Sequence, residues 1–413
     1  MPVERPPILP PVLDEVRPPA LLSPSRFADL LRCPLSVIHG LREEELLPPH
    51  PLAVLGGIIH DVMHAVRSRA LGSQEEIENA VAEVFEERLG AVETRLAAEP
   101  SSRRLVPIRR AVGRTAWRHR KTCLRAWGST LSDLSTSRIS SEGTRSLSRE
   151  KRDRREGDSA TIQVPTGSER PMKLPDSRLS GRPDRIERDS DGVFHITDLK
   201  TGSIRDKEGQ PLRDYARQVR LYGLMVERID SDARVRLWLE GSERVEVPWD
   251  DAARAETEEL LNETLSRLPD DLPLSADSVA REGPHCGRCR LRHRCPRYRS
   301  VAPEWWRSMS TTALVAPFDV WGTVLEVSSE DERFYEVMLR DAAGRKVRVS
   351  GLRAGLGIAG LRSGDYAWFF DLEPSETLPH HGAFTHPRNF HGERPSRAWS
   401  DALRLGVFIR CLD

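Results

Sequence analysis

Leu179-Ser180-Gly181-Arg182-Pro183-Asp184-Arg185-Ile186, followed shortly by Ile196-Thr197-Asp198-Leu199-Lys200-Thr201-Gly202, carries the clearest signal of the chain's architecture. Both pieces have the composition of short strands, and neighbouring strands can bring their acidic residues to one point. Alternation puts Asp198 and Lys200 on the same face, two residues apart. Two carboxylates and a backbone carbonyl, that of Leu199, suit a hard divalent ion such as Mg²⁺ or Mn²⁺ and leave positions for water and phosphate. Lys200 can orient or deprotonate that water and offset negative charge. Alone, an Asp-x-Lys triplet is more often an exposed ion-pairing position, so the surrounding chain has to carry the reading.

Working outward, strands are expected around 161–165, 178–187 and 193–199. A helix is expected from Leu212 to about Arg228, then strands at 233–240 and 243–248 joined by Gly241-Ser242. Asp250 is placed to cap a helix reaching about Leu268. This order predicts an α/β mixed sheet flanked by helices. Upstream, residues 1–20 form a proline-rich extended lead-in, and Ser23-Pro24 opens a short helix that Cys33-Pro34 ends. A helix over 56–69 turns Ile59, Val62, Met63 and Val66 inward. Ser73 with Glu76 makes the capping box of the next helix. Residues 128–159, dominated by Ser, Arg, Glu and Asp, resemble a mobile insertion.

Beyond a connector at 301–311, residues 312–413 change texture. Five short strands with a Gly364-Asp365 turn point to a small all-β, OB-like barrel, in which Trp321, Tyr335, Trp368 and Phe369 are candidate stacking residues. Trp305-Trp306 is a candidate packing anchor.

The 413 residues allow two to three units. Lys+Arg and Asp+Glu both number 63, so a nucleic-acid face requires local segregation of charge. Residues 103–127, the most basic helix candidate, supply it: eight arginines and Lys121, with no acid between Pro100 and Ser132. Arg109, Arg110, Arg114, Arg118 and Lys121 are the candidate phosphate contacts there, joined by Arg182, Arg292 and Arg294. No window approaches twenty apolar residues, so no membrane span is expected and a cytoplasmic location is.

Cys286-x2-Cys289-x5-Cys295 places three thiols on one loop, and spacing alone permits either a zinc site or an iron–sulfur cluster. Cys123 and Cys411 have no such neighbours.

Taken together, these motifs resemble the PD-(D/E)xK nuclease superfamily, and within it the RecB/AddB-like branch that includes CRISPR adaptation exonucleases with an iron–sulfur cluster. The resemblance covers roughly residues 20–300. Gly57-Ile58-Ile59-His60 is similar to a Gly-x-x-His element and implies His60 as a metal ligand. Gly181-Arg182-Pro183-Asp184 implies Asp184 as a second, and Asp198-Leu199-Lys200-Thr201-Gly202 implies Asp198 as a third with Lys200 catalytic. Gln218-Val219-Arg220-Leu221-Tyr222 matches Gln-x-x-x-Tyr, putting Gln218 and Tyr222 at the site. The resemblance also implies a fourth cysteine ligand, Cys33, and a [4Fe–4S] cluster, with Zn²⁺ as the alternative. Such a clasp would close nearly the whole 21–300 domain, stabilising it by roughly 5 kcal/mol of chain entropy. The expectation is a metal-dependent DNA nuclease, an exonuclease on single-stranded DNA or DNA ends. A catalytically silent DNA-binding scaffold and a protein-docking adaptor are the alternatives. The absence of a G-x4-G-K-[ST] stretch leaves unwinding to a helicase or other DNA-processing partner.

Overall fold

The computed structural model describes residues 11–139 and 164–307, apart from short breaks at 70, 99–101, 103–104, 175–176, 270–271, 284 and 287–288. Farther on it describes 318–329, 334–340, 344, 346–353, 358–374, 388–391 and 408–410. The helices are α1 (Phe27–Arg32), α2 (Leu35–Ile38), α3 (Pro51–Arg67), α4 (Gln74–Ala98), α5 (Ile108–Val112), α6 (Arg114–Ile139), α7 (Arg213–Ile229), α8 (Asp251–Ser266), α9 (Ala276–Val279) and α10 (Pro296–Arg307). The strands before residue 300 are β1 (Glu15–Val16), β2 (Gly167–Ser168), β3 (Met172–Lys173), β4 (Ser180–Gly181), β5 (Arg185–Arg188), β6 (Val193–Leu199), β7 (Arg234–Glu240), β8 (Arg244–Val247) and β9 (Leu274–Ser275). After it come β10 (Phe318–Ser329), β11 (Phe334–Arg340), β12 (Lys346–Arg353), β13 (Tyr366–Pro374), β14 (Arg388–His391) and β15 (Phe408–Arg410).

The α/β core is a five-stranded sheet in the order β2-β5-β6-β7-β8. Only β6 and β7 run parallel, from Val193↔Arg234 to Leu199↔Glu240. A parallel pair needs a crossover, and α7 provides it. Its residues Val219, Tyr222 and Met225 are buried in the cluster that includes Ile196 and Leu237 of the sheet. A second cluster gathers Leu55, Ile58, Ile59, Val62, Met63 and Val66 of α3 with residues of α4, α5 and α6, and takes in Leu199 of β6. Those α3 positions recur every three or four residues, and each buried side chain stabilises the packing by about 1.5–3 kcal/mol. Two expected caps form: Glu76 N donates to Ser73 Oγ and Ser73 N to Glu76 Oε2, and Ala253 N donates to Asp250 Oδ1. Ser23, expected to cap the first helix, instead pairs its Oγ with Ser25 Oγ at 2.6 Å and bonds no helix amide. No described helix is long and apolar enough to cross a membrane.

Several expectations need correction. The 178–187 strand is two strands, β4 and β5, because Pro183 between them has no amide to donate; Asp184 stands at the break. The helix over 103–127 is interrupted at Gly113, whose φ of +84° suits glycine and ends α5. α6 then runs to Ile139, so the first part of the expected insertion is helical. The remainder of that insertion, from 140, lies outside the described residues, as does most of the expected 161–165 strand. Part of the lead-in is docked: β1 pairs with β9, Leu13 N donates to Arg294 O at 2.9 Å, and Val16 is buried. α10 crosses the boundary expected between domain and connector.

The C-terminal strands form a curled six-stranded sheet, a half-barrel rather than a fully closed five-stranded barrel. β10 pairs with both β11 and β13, and β12 runs parallel to β14. The far edge of β13 is divided between β15 and β14, and β14 joins it through only Glu373↔His391 and Pro374↔Phe390. Trp321, Trp368 and Phe369 are buried in this sheet, leaving Tyr335, half-buried, as the accessible member of the four expected stacking residues. Their cluster is continuous with that on the α7 side of the first sheet.

Candidate active site

The parallel ends of β6 and β7 point toward one rim, and the site is built there. Asp198 occupies the penultimate position of β6 and is buried. Lys200 follows the strand, its amide held by Glu240 O at 2.7 Å. The Lys200 ammonium lies 2.6 Å from Asp198 Oδ2, donates to Gln218 Oε1 at 2.8 Å, and sits over the Tyr215 ring. Gln218 Nε2 in turn donates to Asp198 Oδ1 at 2.7 Å. Gln218 therefore orients the acid and the amine together, from the first half of α7.

Asp184 is fixed from the other side. Its Oδ2 accepts from Leu199 N at 2.5 Å, and its Oδ1 lies 3.1 Å from His60 Nε2. Tyr222, one turn beyond Gln218, donates to Arg182 O at 3.1 Å and so supports the chain entering Asp184. Gly181 makes room for it: a Cβ there would stand 2.8 Å from the Tyr222 ring and 2.9 Å from Pro24. Five expected residues thus lie in two linked groups, His60–Asp184 and Asp198–Lys200–Gln218, with Leu199 between them and Tyr222 behind.

Burial is the largest influence on Asp198 and raises its carboxyl to about 6, assisted by Asp184 and opposed by Lys200. The hydrogen bond His60 makes to Asp184 raises its pKa above the ordinary imidazole range, against its burial. Desolvation likewise raises Tyr222, which stays a neutral donor.

Asp198 Oδ2 is a test of fit for a cation. Apart from the Lys200 ammonium at 2.6 Å, this buried oxygen has no hydrogen-bond partner among the described residues. A buried carboxylate oxygen in that state, beside a second acid and an imidazole, has the donor chemistry a hard divalent ion takes. Among the described residues, no three His, Cys, Asp or Glu side chains are gathered as a closed metal site. The donors fit in kind, as two adjoining halves.

The cysteines tell a similar story. Cys33, Cys286 and Cys295 are buried, Cys289 is half-buried, and none is in a disulfide. Burial raises the thiols of Cys286, Cys289 and Cys295, and proximity to Cys33 adds to each. Cys33 Sγ accepts from Arg281 N and Cys295 Sγ from Tyr298 N, both at 3.4 Å. Amide donors aimed at sulfur are what a metal-bound thiolate receives.

The expected phosphate contacts divide. Arg109, Arg110, Arg114, Arg118 and Arg182 are exposed, and Lys121 is half-buried over Phe85 near Glu86. Arg292 is not a surface group: it is buried and holds Asp319 at 2.7 and 3.3 Å. Arg294 is spent on Glu45 and Pro11 O, Arg290 on Glu43, and Arg297 on Glu282. The cysteine loop's positive charge is thus largely paired with carboxylates.

Two neighbours of the site escaped the sequence reading. Arg120 of α6 donates to Thr201 O and Oγ1, bracing the turn after Lys200. Glu240 is fully buried and accepts from Arg67 and Trp127. A charged residue closing the otherwise apolar Leu237-Trp238-Leu239 run was the available signal for it.

Two acids, an imidazole, an amine and an orienting amide thus share one sheet rim. The chain belongs to the PD-(D/E)XK nuclease superfamily, whose family model matches residues 21–296. No curated protein matches the chain. A solved structure described as "Crystal structure of SSO0001" is 19% identical over 32% of this chain, with a TM-score of 0.21, a likeness too slight to bear on the fold. The chain spans 61% of that structure's length.

Proposed function

We propose that the protein is a metal-dependent DNA nuclease that works as an exonuclease on single-stranded DNA or DNA ends. The observation that carries this reading is the closed ring Asp198–Lys200–Gln218, joined through Leu199 to the His60–Asp184 pair. Asp184, Asp198, His60 and the Leu199 carbonyl would hold Mg²⁺ or Mn²⁺, which when bound lowers the pKa of water and offsets charge on the scissile phosphate. Gln218 and Asp198 hold the Lys200 ammonium, which donates to phosphate oxygen or, once deprotonated, accepts a proton from the attacking water. Tyr222 keeps the Asp184 segment in place through Arg182 O.

The exposed arginines of α5 and α6 support a phosphate-contacting track toward Thr201, where Arg120 ties the helix to the site. In the C-terminal sheet, single-strand binding would rest on Tyr335, since Trp321, Trp368 and Phe369 are buried, and a DNA-processing partner such as a helicase would deliver the strand. A cytoplasmic setting suits free thiols.

Incubating end-labelled single strands with the protein and Mg²⁺ or Mn²⁺ should release short products from one end, and chelation should stop it. Metal-dependent binding without any product makes the protein a scaffold and overturns the reading.

We further read the four cysteines as ligands of a [4Fe–4S] cluster, with zinc as the alternative. Anaerobically purified protein should be brown and contain iron and acid-labile sulfide, both lost in Cys289→Ala. Colourless protein containing stoichiometric zinc would replace the cluster with a Cys₄ zinc site.

A further inference from the structure

Two helices grip the strand ends that carry the site, and each does so at two points seven residues apart on one face. On α3, His60 meets Asp184 and Arg67 reaches Glu240; on α6, Arg120 meets Thr201 and Trp127 reaches Glu240. Glu240 is therefore the second anchorage of both. It ends β7 opposite Leu199, and its own carbonyl accepts the Lys200 amide at 2.7 Å.

The carboxylate has no exposure. Its Oε1 takes both Arg67 Nη1 and Trp127 Nε1, the latter at 3.1 Å, while Oε2 has no hydrogen bond among the described residues. Packing alone does not require an acid here, because apolar residues of similar volume commonly replace buried ion pairs without loss of stability. What an apolar residue cannot do is fix two helices against a strand end by directional bonds to one atom. The following residue tightens the joint: a Cβ on Gly241 would lie 2.8 Å from Lys200 O. Any sliding of α3 along the sheet changes the distance from His60 to Asp198, and the Arg67–Glu240 contact opposes that movement.

We propose that Glu240 is a positioning residue for the nuclease site, setting the spacing between the His60 helix and the strand carrying Asp198 and Lys200. This rests on the nuclease reading for its catalytic consequence, but the spacing itself can be measured without turnover.

The test compares wild type with Glu240→Gln, Arg67→Met, their double variant and Trp127→Phe in the full chain. Three measurements are made: Mn²⁺ binding by calorimetry, cleavage of a single strand, and amide exchange by mass spectrometry. Glu240→Gln and Arg67→Met should each weaken Mn²⁺ binding and lower kcat by about 10–100-fold, as loss of ligand-orienting contacts does. KM for the strand should stay unchanged, and the double variant should be no worse than the poorer single one. Exchange should quicken in residues 57–64 and 196–202. Trp127→Phe keeps an aromatic ring and the Arg67–Glu240 contact while removing the Nε1 donor, so it should fold and show the same changes in smaller measure. Variants that lower only the melting temperature, with Mn²⁺ affinity, kcat and exchange in both segments as in wild type, overturn the proposal. Should wild type neither bind Mn²⁺ nor cleave, the nuclease reading fails by itself. Exchange in the two segments then decides the spacing role: quickened exchange supports it, and unchanged exchange overturns it.

Discussion

Lys200→Ala should lower the single-turnover rate of Mn²⁺-dependent cleavage by about 10²–10⁴-fold, the usual contribution of a positioned acid–base group. The protein should remain folded, because the Lys200 side chain contacts Asp198, Gln218 and Tyr215 without filling the core. Two effects combine in the variant. The amine that faces phosphate and water is gone, and Asp198 loses the cation that opposes the effect of burial, so its carboxyl rises further. A protonated Asp198 is a poor ligand, and a higher pH should therefore restore part of the Mn²⁺ binding but not the rate. Lys200→Arg separates the roles, since a guanidinium supplies charge but does not deprotonate. Recovery in the arginine variant assigns Lys200 to charge stabilisation; none assigns it to proton transfer or to ammonium geometry. Cleavage by Lys200→Ala at the wild-type rate would remove the site from the chemistry.

Asp319→Ala should destabilise the junction between the cysteine loop and the C-terminal sheet by about 3–5 kcal/mol, the cost of leaving a buried charge without its partner. Asp319 accepts from Arg292 through both oxygens and from Tyr298 Oη at 2.5 Å, and all three side chains are buried. Arg292 is buried and keeps its bond to Cys289 O, which is neutral and does not offset the charge. The loss should appear as a lower urea midpoint in tryptophan fluorescence, because Trp321 and Trp368 pack together with ring centroids 4.6 Å apart beside Tyr298. Arg292→Met with Asp319→Leu removes both charges and should recover most of the stability. A single variant as stable as wild type would mean that the pair is dispensable to the junction.

Local patterns were a good guide wherever the determining physics is local. The α3 stripe follows from apolar spacing, the start of α4 from Ser73 and Glu76, and the α8 cap from Asp250. Gln218 and Tyr222 share a helix face because they are four residues apart. Chain-distant pairing was not legible in the same way. Arg292 has the look of a surface arginine until Asp319, on a strand of another sheet, is seen against it. Likewise, Trp321 and Trp368 become core residues only through the β10–β13 pairing that places them opposite one another. Glu240 belongs with these: strand composition announces an acid at the end of β7, but not the two helices that converge on it. The split between β4 and β5 was available from Pro183 alone, since a residue lacking N–H interrupts a ladder.

The docking of Leu13 and Val16 has a consequence for the nascent chain. β1 waits for β9, and Leu13 waits for Arg294, while a ribosome adding about 5–20 residues per second takes roughly 13–50 s to deliver β9. During that interval the α3–α6 helices can collapse on one another, but β1 has no β9 edge to join. Docking of β1 therefore follows the gathering of the α3–α6 helices and waits until the chain has been made past Arg294.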